Sequence, residues 1–315
     1  MKVDFFGITD VGRKRKFNED NFLCHGFPKN SSNNNIPHSL LIVADGIGGH
    51  AGGGTASSLA VDVLSQSLTQ IIESTNSSEY QEVMETSIQE ANHQIFKNAS
   101  EDKGLTGMGT TLVSALVIDT YALVSNVGDS RAYLIRNHQI TPITEDHSWK
   151  AEQLKLNLLS EEEISHSPFR HTITRSLGFD SDVRVDTFYV ELFNNDYILL
   201  CSDGLYESLP DLVMKKIIRK NRNPERICEK LIKLANKRGG HDNITAVVGH
   251  FSGIERVKRE AKKPADTVKL DEKYQKIAKV SVDKDTVDLN DLEKRKIPSP
   301  HDTVKLDVVQ PDRDE

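Results

Sequence analysis

Residues 39–54 read SLLIVADGIGGHAGGG. The first six form an apolar run of strand length, which stops at Asp45-Gly46, a common turn dipeptide. The glycines that follow lack the terminal Gly-Lys-Ser/Thr of a nucleotide-binding P-loop, so we expect backbone that bends and then enters a helix. The stretch therefore predicts a buried strand with a carboxylate at its end.

Strands and helices are predicted in groups around this stretch. Short apolar or β-branched runs between turn residues predict strands at 3–9, 21–26, 39–44, 110–118, 121–127, 132–136, 183–192, 197–201 and 244–251. Helices with one apolar face are predicted at 56–72 and 84–95, and a second pair at 211–220 and 224–237. Because the two kinds of element arrive in groups rather than in alternation, the sequence favours an α+β sandwich with mostly antiparallel sheets.

Two further segments differ in composition from this series. Residues 144–167 are rich in charge and weakly helical, and we expect a mobile flap that influences substrate choice. From about Ile254 nearly half the residues are charged, one aromatic residue remains and no apolar period appears. These features predict a folded domain at 1–253 and a disordered C-terminal tail at 254–315.

Composition excludes several classes of protein. The 315 residues carry 47 acidic and 40 basic side chains, and the formal charge of −7 argues against a nucleic-acid or anionic-membrane binder. Apolar runs are far shorter than the roughly 20 residues of a membrane helix, and the N-terminal residues lack a secretory core. The three cysteines show no Cys-x-x-Cys spacing and are expected to be reduced, mostly buried thiols. We expect a cytoplasmic monomer.

Four aspartates stand where a predicted strand ends or a tight turn begins: Asp45, Asp129, Asp203 and Asp242. Carboxylates at strand ends can converge at one rim of a sandwich, where they repel one another unless cations neutralise them. Ligand sets made of oxygen alone suit Mg²⁺ or Mn²⁺ better than zinc. A single Asp-Gly is an ordinary turn, so the prediction of a metal site depends on the motifs that accompany these residues.

The accompanying motifs are GxxRxxNED at 12–20, the glycine-rich loop at 46–54 and MGTT at 108–111. With these motifs in this order, residues 1–252 resemble the metal-dependent protein phosphatases of the PPM class, also called type 2C, in their compact bacterial form. The resemblance implies a four-layer α/β/β/α sandwich of two antiparallel sheets flanked by helix pairs. It also implies a protein serine/threonine phosphatase that uses two Mn²⁺ or Mg²⁺ ions, with provision for a third.

The resemblance assigns metal ligands position by position. Asp45 would bridge the two core ions with help from the Gly46 carbonyl, and Asp203 and Asp242 would complete the binuclear site. Asp129, together with Asp203, matches the positions that hold a third ion in bacterial relatives. Paired ions of this kind can lower the pKa of a water toward neutrality for in-line attack on phosphorus, so no covalent phosphoenzyme is expected.

Further roles follow from the same resemblance. Glu19 and Asp20 would lie beside the core ions or bind them through water. Arg15 matches the arginine that clamps the substrate phosphate, a task that a planar guanidinium performs better than an ammonium. The leaving serine or threonine needs a proton. His50 and His171 are candidates for that general acid, with a structural or water-ordering role as the alternative.

The sequence leaves three functions open. The first is a phosphatase acting on phosphorylated proteins, with a cognate Ser/Thr kinase as an expected partner. The second is a binding protein that has lost turnover, but such loss normally removes metal ligands, and the mapped aspartates are all present. The third is a metal-dependent phosphodiesterase, which the acidic balance and the lack of histidine-rich metal motifs disfavour.

The tail contains one short sequence motif three times. Asp-Thr-Val-x-Leu begins at Asp266, Asp285 and Asp302, too irregularly spaced for a solenoid. Leucine stands three residues after each threonine, a pattern that phosphothreonine readers of the forkhead-associated type can select. We therefore expect phosphorylation of Thr267, Thr286 and Thr303 followed by binding of such a reader, with a low-complexity linker as the alternative.

Overall fold

A computed structural model describes residues 1–27, 39–48, 51–71 and 79–254, with the backbone alone at 51, 70 and 71. These residues fall in the first of two units into which the chain divides, Met1–Arg256 and Val257–Glu315. The predicted disorder and phosphorylation of the tail, and the predicted role of His50, lie outside the described residues.

The described residues form strands and helices whose bounds are as follows. The strands are β1 (Lys2–Asp10), β2 (Asn21–Gly26), β3 (Ser39–Ala44), β4 (Gly46–Ile47), β5 (Gly109–Thr110), β6 (Leu112–Ile118), β7 (Tyr121–Val127), β8 (Arg131–Arg136), β9 (Gln139–Pro142), β10 (Asp186–Glu191), β11 (Tyr197–Cys201) and β12 (Ile244–Ser252). The helices are α1 (Ala51–Ile71), α2 (Tyr80–Glu101), α3 (Trp149–Lys155), α4 (Glu161–His166), α5 (Asp203–Tyr206), α6 (Asp211–Lys220) and α7 (Pro224–Lys237).

Two five-stranded antiparallel sheets form the centre of the fold. One has the order β1-β12-β11-β8-β9 and the other the order β10-β7-β6-β3-β2, while β4 and β5 pair separately. The register places Asp10 opposite Ile244 in the first sheet and Ala44 opposite Asn21 in the second. The end of β1 therefore lies beside the start of β12, and the end of β3 lies beside the start of β2.

Alternation of side chains along the strands divides the core into three layers. On β3, Leu40 and Ile42 pack with residues of α1 and α2, whereas Leu41 and Val43 pack with residues of the other sheet. On β11 the same alternation sends every second side chain toward α6 and α7 and the others toward the inter-sheet layer. This arrangement confirms the predicted four-layer sandwich of helices, two antiparallel sheets and helices.

Helix α7 shows why the sequence forms these outer layers. Asn223 caps it by accepting a hydrogen bond from the Arg226 backbone N–H at 3.3 Å, and Pro224 occupies the first turn, where its missing N–H costs nothing. Ile227 and Leu231, four residues apart, are fully buried against the sheet. Helix α7 therefore buries apolar surface on the face that packs against the sheet.

The chain passes between the two sheets several times at one end of the sandwich. These passages are residues 11–20 from β1 to β2, 128–130 from β7 to β8, and 143–185 from β9 to β10. The ends of β3, β11 and β1 and the start of β12 lie at the same end. This end, called the catalytic end below, therefore gathers the predicted aspartates from both sheets.

Most predicted elements are confirmed, and the differences have local causes. The bounds of β2, β3, β7, β11, α6 and α7 are those predicted. The single strand predicted at 110–118 is wrong, because Thr111 separates β5, which pairs with β4, from β6. Helix α1 begins at Ala51 instead of 56, inside the glycine-rich loop, and β10 begins at Asp186 instead of 183.

The segment 144–167, the cysteines and the apolar content of the helices were also subjects of prediction. The stretch 144–167 contains the short helices α3 and α4, and α4 opens with a capping box between Ser160 and Glu163. The three cysteines are free thiols, with Cys201 and Cys228 buried and Cys24 half-buried, as expected. Among the described helices, none combines the length and the apolar content that a membrane crossing requires.

Candidate active site

The backbone of Asp45 is fixed by two threonines from the start of the β5–β6 region. The Asp45 N–H donates to Thr111 Oγ1 at 3.0 Å, and the Asp45 carbonyl accepts from the Thr111 N–H and from Thr110 Oγ1, both at 2.9 Å. Both threonines are buried. Three hydrogen bonds therefore hold the backbone that carries the Asp45 carboxylate at the end of β3.

The Asp242-Asn243 turn is packed too tightly for side chains on its neighbours. A Cβ at Gly12, whose φ is +80°, would lie 2.1 Å from the Asp242 carbonyl oxygen, and one at Gly204 would lie 2.1 Å from that of Asn243. The Asn243 amide oxygen accepts from the Glu19 N–H at 2.8 Å, and its Nδ2 donates to the Val11 carbonyl at 3.0 Å. The passage 11–20 is thereby bound to the turn before β12.

Asp20 is the most deeply placed of the carboxylates in this passage. One oxygen, Oδ2, accepts from Ser202 Oγ at 2.7 Å and from Thr245 Oγ1 at 2.6 Å. The other, Oδ1, is buried with no hydrogen-bond partner among the described residues. Burial raises the pKa of Asp20 to about 6 from its ordinary 3.8, and the two hydroxyl hydrogen bonds oppose that rise.

The other buried carboxylates form one electrostatic cluster with Asp20. Burial, followed by repulsion from Asp20, Asp203 and Asp129, raises the pKa of Asp45 well above its ordinary range. The pKa of Asp203 is raised in the same way, by burial first and then by Asp129 and Asp242. Burial and the nearby Asp146 raise the pKa of Asp129 to about 7. Four of the predicted ligands therefore repel one another in a poorly solvated space.

The chemistry of this cluster fits a divalent hard cation. Its donors are oxygens, and buried Oδ1 atoms of both Asp20 and Asp203 have no hydrogen-bond partner among the described residues. Cations would relieve the repulsion that raises the pKa values. In the part of the chain that the structure describes, no three acidic, histidine or cysteine side chains converge closely enough to hold an ion as they stand. The metal roles of individual residues therefore stay predictions.

Arg15 brings positive charge to the edge of the cluster. Its Nη2 atom lies 2.7 Å from Asp242 Oδ2, and 52% of the side chain's surface is exposed. The hydrogen bond to Asp242 raises the pKa of the guanidinium, with added attraction from Glu19 and Asp203. The neighbouring Arg13 is exposed and contacts the turn through its backbone N–H, which donates to the Gly240 carbonyl. Arg15 is thus the cation of this passage that faces the carboxylates.

Comparison with known proteins decides the family. The family model described as protein phosphatase 2C matches residues 13–243. The chain belongs to the protein phosphatase 2C family. As a member of that family, it is a metal-dependent serine/threonine protein phosphatase.

Individual relatives of this phosphatase agree with the assignment. It is 39% identical over 240 residues to the serine/threonine phosphatase stp of Listeria monocytogenes, covering 76% of this chain and 92% of that protein. Its fold is similar to that of the serine/threonine phosphatase Stp1 from Staphylococcus aureus, with a TM-score of 0.70, 33% identity, and coverage of 80% and 96%. It is also similar to the catalytic domain of PstP in complex with two manganese ions, with a TM-score of 0.66, 28% identity, and coverage of 79% and 97%.

Of the two histidines predicted as general acids, His171 is the one that the structure describes. His171 is exposed, and its Nδ1 atom lies 3.7 Å from the Glu207 carboxylate, which contributes to the negative field at Asp129 and Asp203. His171 is therefore at the rim of the phosphatase site, not inside it. His50 lies outside the described residues.

The prediction missed an arginine that joins two sides of the phosphatase site. Arg131 donates to both carboxylate oxygens of Asp146, at 2.8 and 2.7 Å, and its guanidinium lies 3.7 Å from the centre of the Tyr206 ring. The strand that follows Asp129 is thereby tied to helix α5, which begins with Asp203. Asp-Ser-Arg after a strand is a weak pattern by itself, so this contact could not be predicted from it.

Proposed function

We propose that the phosphatase hydrolyses phosphoserine and phosphothreonine in proteins by direct attack of a water on phosphorus, without a phosphorylated enzyme intermediate. The observation that carries the proposal is the buried carboxylate cluster with Arg15 at its edge. The thiols support it indirectly, because burial raises the pKa of both Cys201 and Cys228 and so disfavours the thiolate that a cysteine-dependent mechanism needs.

Each ligand role is proposed for a residue of the catalytic end. Asp45 would bridge two core Mn²⁺ or Mg²⁺ ions, with the Gly46 carbonyl, Asp203 and Asp242 completing their protein ligands. When bound, such ions lower the pKa of a water toward neutrality and stabilise negative charge on the phosphoryl oxygens. Asp129 would act with Asp203 at a third site.

Two further acidic residues would support the core site. Glu19 and Asp20 would take up positions beside the ions or bind through water, and the hydroxyls of Ser202 and Thr245 orient the Asp20 carboxylate for this role. The leaving oxygen must still receive a proton. His171 at the rim and His50 in the glycine-rich loop are proposed for that step.

The function is tested with the full chain on a phosphothreonine peptide and on bis-para-nitrophenyl phosphate, in Mn²⁺, Mg²⁺ and EDTA. A protein phosphatase should hydrolyse the peptide in Mn²⁺ or Mg²⁺ and lose activity in EDTA, with little action on the diester. Preference for the diester would indicate a phosphodiesterase instead. Peptide binding without turnover in any metal would indicate a recognition module.

Arg15 should bind the substrate phosphate, so Arg15→Ala is expected to raise KM for the phosphopeptide by about 10- to 100-fold, the loss of a charge-assisted bidentate contact. Arg15→Lys should recover part of the loss, because an ammonium keeps the charge without the planar fork. Steady-state kinetics in saturating Mn²⁺ measure both. Arg13→Ala is the matched control, since it removes an exposed cation two residues away. Equal effects at 13 and 15 would mean that general charge, not a phosphate clamp, is responsible.

The physiological role is proposed from the substrate class. A phosphatase of phosphoserine and phosphothreonine would oppose a Ser/Thr kinase, and that kinase would itself be a substrate if it is phosphorylated on its own serines or threonines. The cytoplasmic location and the monomeric state expected from the sequence stay predictions.

The tail is proposed to become a phosphothreonine ligand. Three copies of Asp-Thr-Val-x-Leu support the proposal, because a phosphate on Thr267, Thr286 or Thr303 would supply the charge that arginines of a forkhead-associated-type reader pair with. Treatment of the full chain with a Ser/Thr kinase should add phosphate at these threonines, seen by intact mass and site mapping. The matched variant carries alanine at all three positions. Equal phosphate incorporation into both proteins would remove the basis of the proposal.

A further inference from the structure

A buried histidine outside the predicted site forms hydrogen bonds with the turn that carries Asp129. His147 lies in the passage 143–185, with 7% of its surface exposed. Its backbone N–H donates to the Gly128 carbonyl at 3.0 Å, and its ring nitrogen Nδ1 accepts from the Gly128 N–H at 3.0 Å. The Gly128 carbonyl also accepts from Asn126 Nδ2 at 3.2 Å, so His147 Nδ1 supplies the acceptor for the Gly128 N–H and shares the carbonyl with Asn126.

Because Nδ1 of His147 accepts a hydrogen bond, the tautomer of the ring and the role of Nε2 are determined. A neutral imidazole that accepts at Nδ1 carries its proton on Nε2, and that N–H donates to Asp186 Oδ2 at 3.1 Å. Asp186 Oδ1 in turn accepts from Arg175 Nη1 at 2.9 Å. Arg175 Nη1 also lies 2.8 Å from His147 Nε2, but both atoms are donors in this tautomer, so the ion pair with Asp186 is the productive contact.

Thr111 holds the opposite side of the same turn. Gly128 has a φ of +106°, and a Cβ there would lie 2.6 Å from the Cβ of Thr111. Thr111 Oγ1 lies 2.8 Å from Ser130 Oγ and accepts from the Asp45 N–H. The turn at 128–130 is thus enclosed between the residue that fixes Asp45 and the histidine that belongs to the passage 143–185.

We propose that His147, oriented by Asp186, is a positioning residue that sets the Asp129 carboxylate for the third ion and links that ion to the passage 143–185. The inference rests on the proposed function, in which Asp129 is a ligand of that ion. Replacing the ring by an apolar side chain leaves the buried Gly128 N–H without an acceptor, so the turn must move to find one. Asp129 would move with it, and the proposed third ion would lose a well-placed ligand.

Three variants of the full chain separate the role of His147 from simple destabilisation. His147→Leu removes the Nδ1 acceptor and the link to Asp186, whereas His147→Asn keeps an acceptor oxygen close to the Nδ1 position. Asp196→Asn is the control for simple destabilisation, because Asp196 is 2% exposed and paired with Arg136 at the end of the sandwich opposite the catalytic end.

The first measurement needs no metal. In EDTA, amide hydrogen exchange of Gly128, followed by ¹⁵N–¹H NMR, should be at least about tenfold faster in His147→Leu than in wild type, with His147→Asn and Asp196→Asn close to wild type. Unchanged exchange in His147→Leu would overturn the proposal, as would equal acceleration in the control.

The second measurement is calorimetric titration with Mn²⁺. Wild type should show a weak component that Asp129→Asn lacks, and His147→Leu should weaken that component by about 10- to 100-fold, the usual loss when a partner of a ligand is removed. The double variant should match Asp129→Asn. Absence of the weak component from wild type, or a normal component in His147→Leu, would overturn the proposal. Wild-type turnover of phosphopeptide in Mn²⁺ keeps the proposed function standing in either case.

Discussion

Asp45→Asn and Asp203→Asn should each lower kcat for a phosphothreonine peptide by roughly a thousandfold or more, because each removes a charge that the proposed core ions require and the stabilisation those ions provide. The loss should persist at saturating peptide, since the variants leave Arg15 in place to bind phosphate. Steady-state kinetics across a range of Mn²⁺ concentrations measure the effect. Asp4→Asn, at the far end of β1, is the matched control and should keep wild-type activity.

The same variants separate a metal role from a structural one. An ionised carboxylate whose pKa is raised by burial costs folding free energy, so its neutral isostere should not destabilise the metal-free protein. We expect Tm in EDTA to be equal to or higher than that of wild type for Asp45→Asn and Asp203→Asn. Loss of activity together with a markedly lower Tm in EDTA would indicate that these carboxylates hold the fold and do not bind ions.

The second large effect is a reversal of pH dependence by metal. Without metal, stability should fall as pH rises from about 4 to 7, because Asp20 and Asp129 keep their protons in the folded state up to about 6 and 7, whereas the unfolded chain loses them near 3.8. The folded state therefore binds more protons across this window. Asp20 and Asp45 influence each other's titration, so the two buried carboxyl groups contribute to this loss of stability together.

Divalent ions should abolish this loss, since they favour the ionised carboxylates. Mn²⁺ at 100 to 1,000 times its Kd should add about 3 to 4 kcal/mol at pH 8 and much less at pH 5, where protons compete for the same oxygens. Urea unfolding at pH 5 and pH 8, with EDTA or Mn²⁺, gives the four values. A metal-free protein more stable at pH 8 than at pH 5 would contradict the assignment of a repelling carboxylate cluster.

The sequence was sufficient for elements whose pattern is strong and local. The apolar runs of β3 and β11 and the one-sided face of α7 gave the correct bounds because burial on a sheet or helix face leaves a regular spacing. Thr111 is included in the predicted strand at 110–118 because its residue type suits a strand. Its actual place, between two strands and hydrogen-bonded to Asp45, depends on contacts 66 residues apart that no local pattern contains.

The residues of the candidate site also include some that the sequence could predict and some that it could not. Asp45 and Asp203 are each followed by glycine and come after an apolar run, so their positions near strand ends could be predicted from the sequence, although Asp203 begins helix α5 and does not stand in a turn. The role of His147 could not be predicted, because a single histidine in a charged stretch belongs to no recognisable motif. Its significance comes from Gly128 and Asp186, which the fold brings to it from 19 and 39 residues away.

The passages between the sheets give the inter-sheet core an influence on reaction rate. Groups from both sheets meet at the catalytic end, so the thickness of the apolar layer between the sheets sets how far apart those groups stand. A change of volume at Val43, Ala115 or Val247, all fully buried in that layer, would alter this spacing without touching any polar atom of the site. Variants selected for altered turnover are therefore expected to include substitutions deep in the hydrophobic interior, and a library confined to the catalytic end would overlook them.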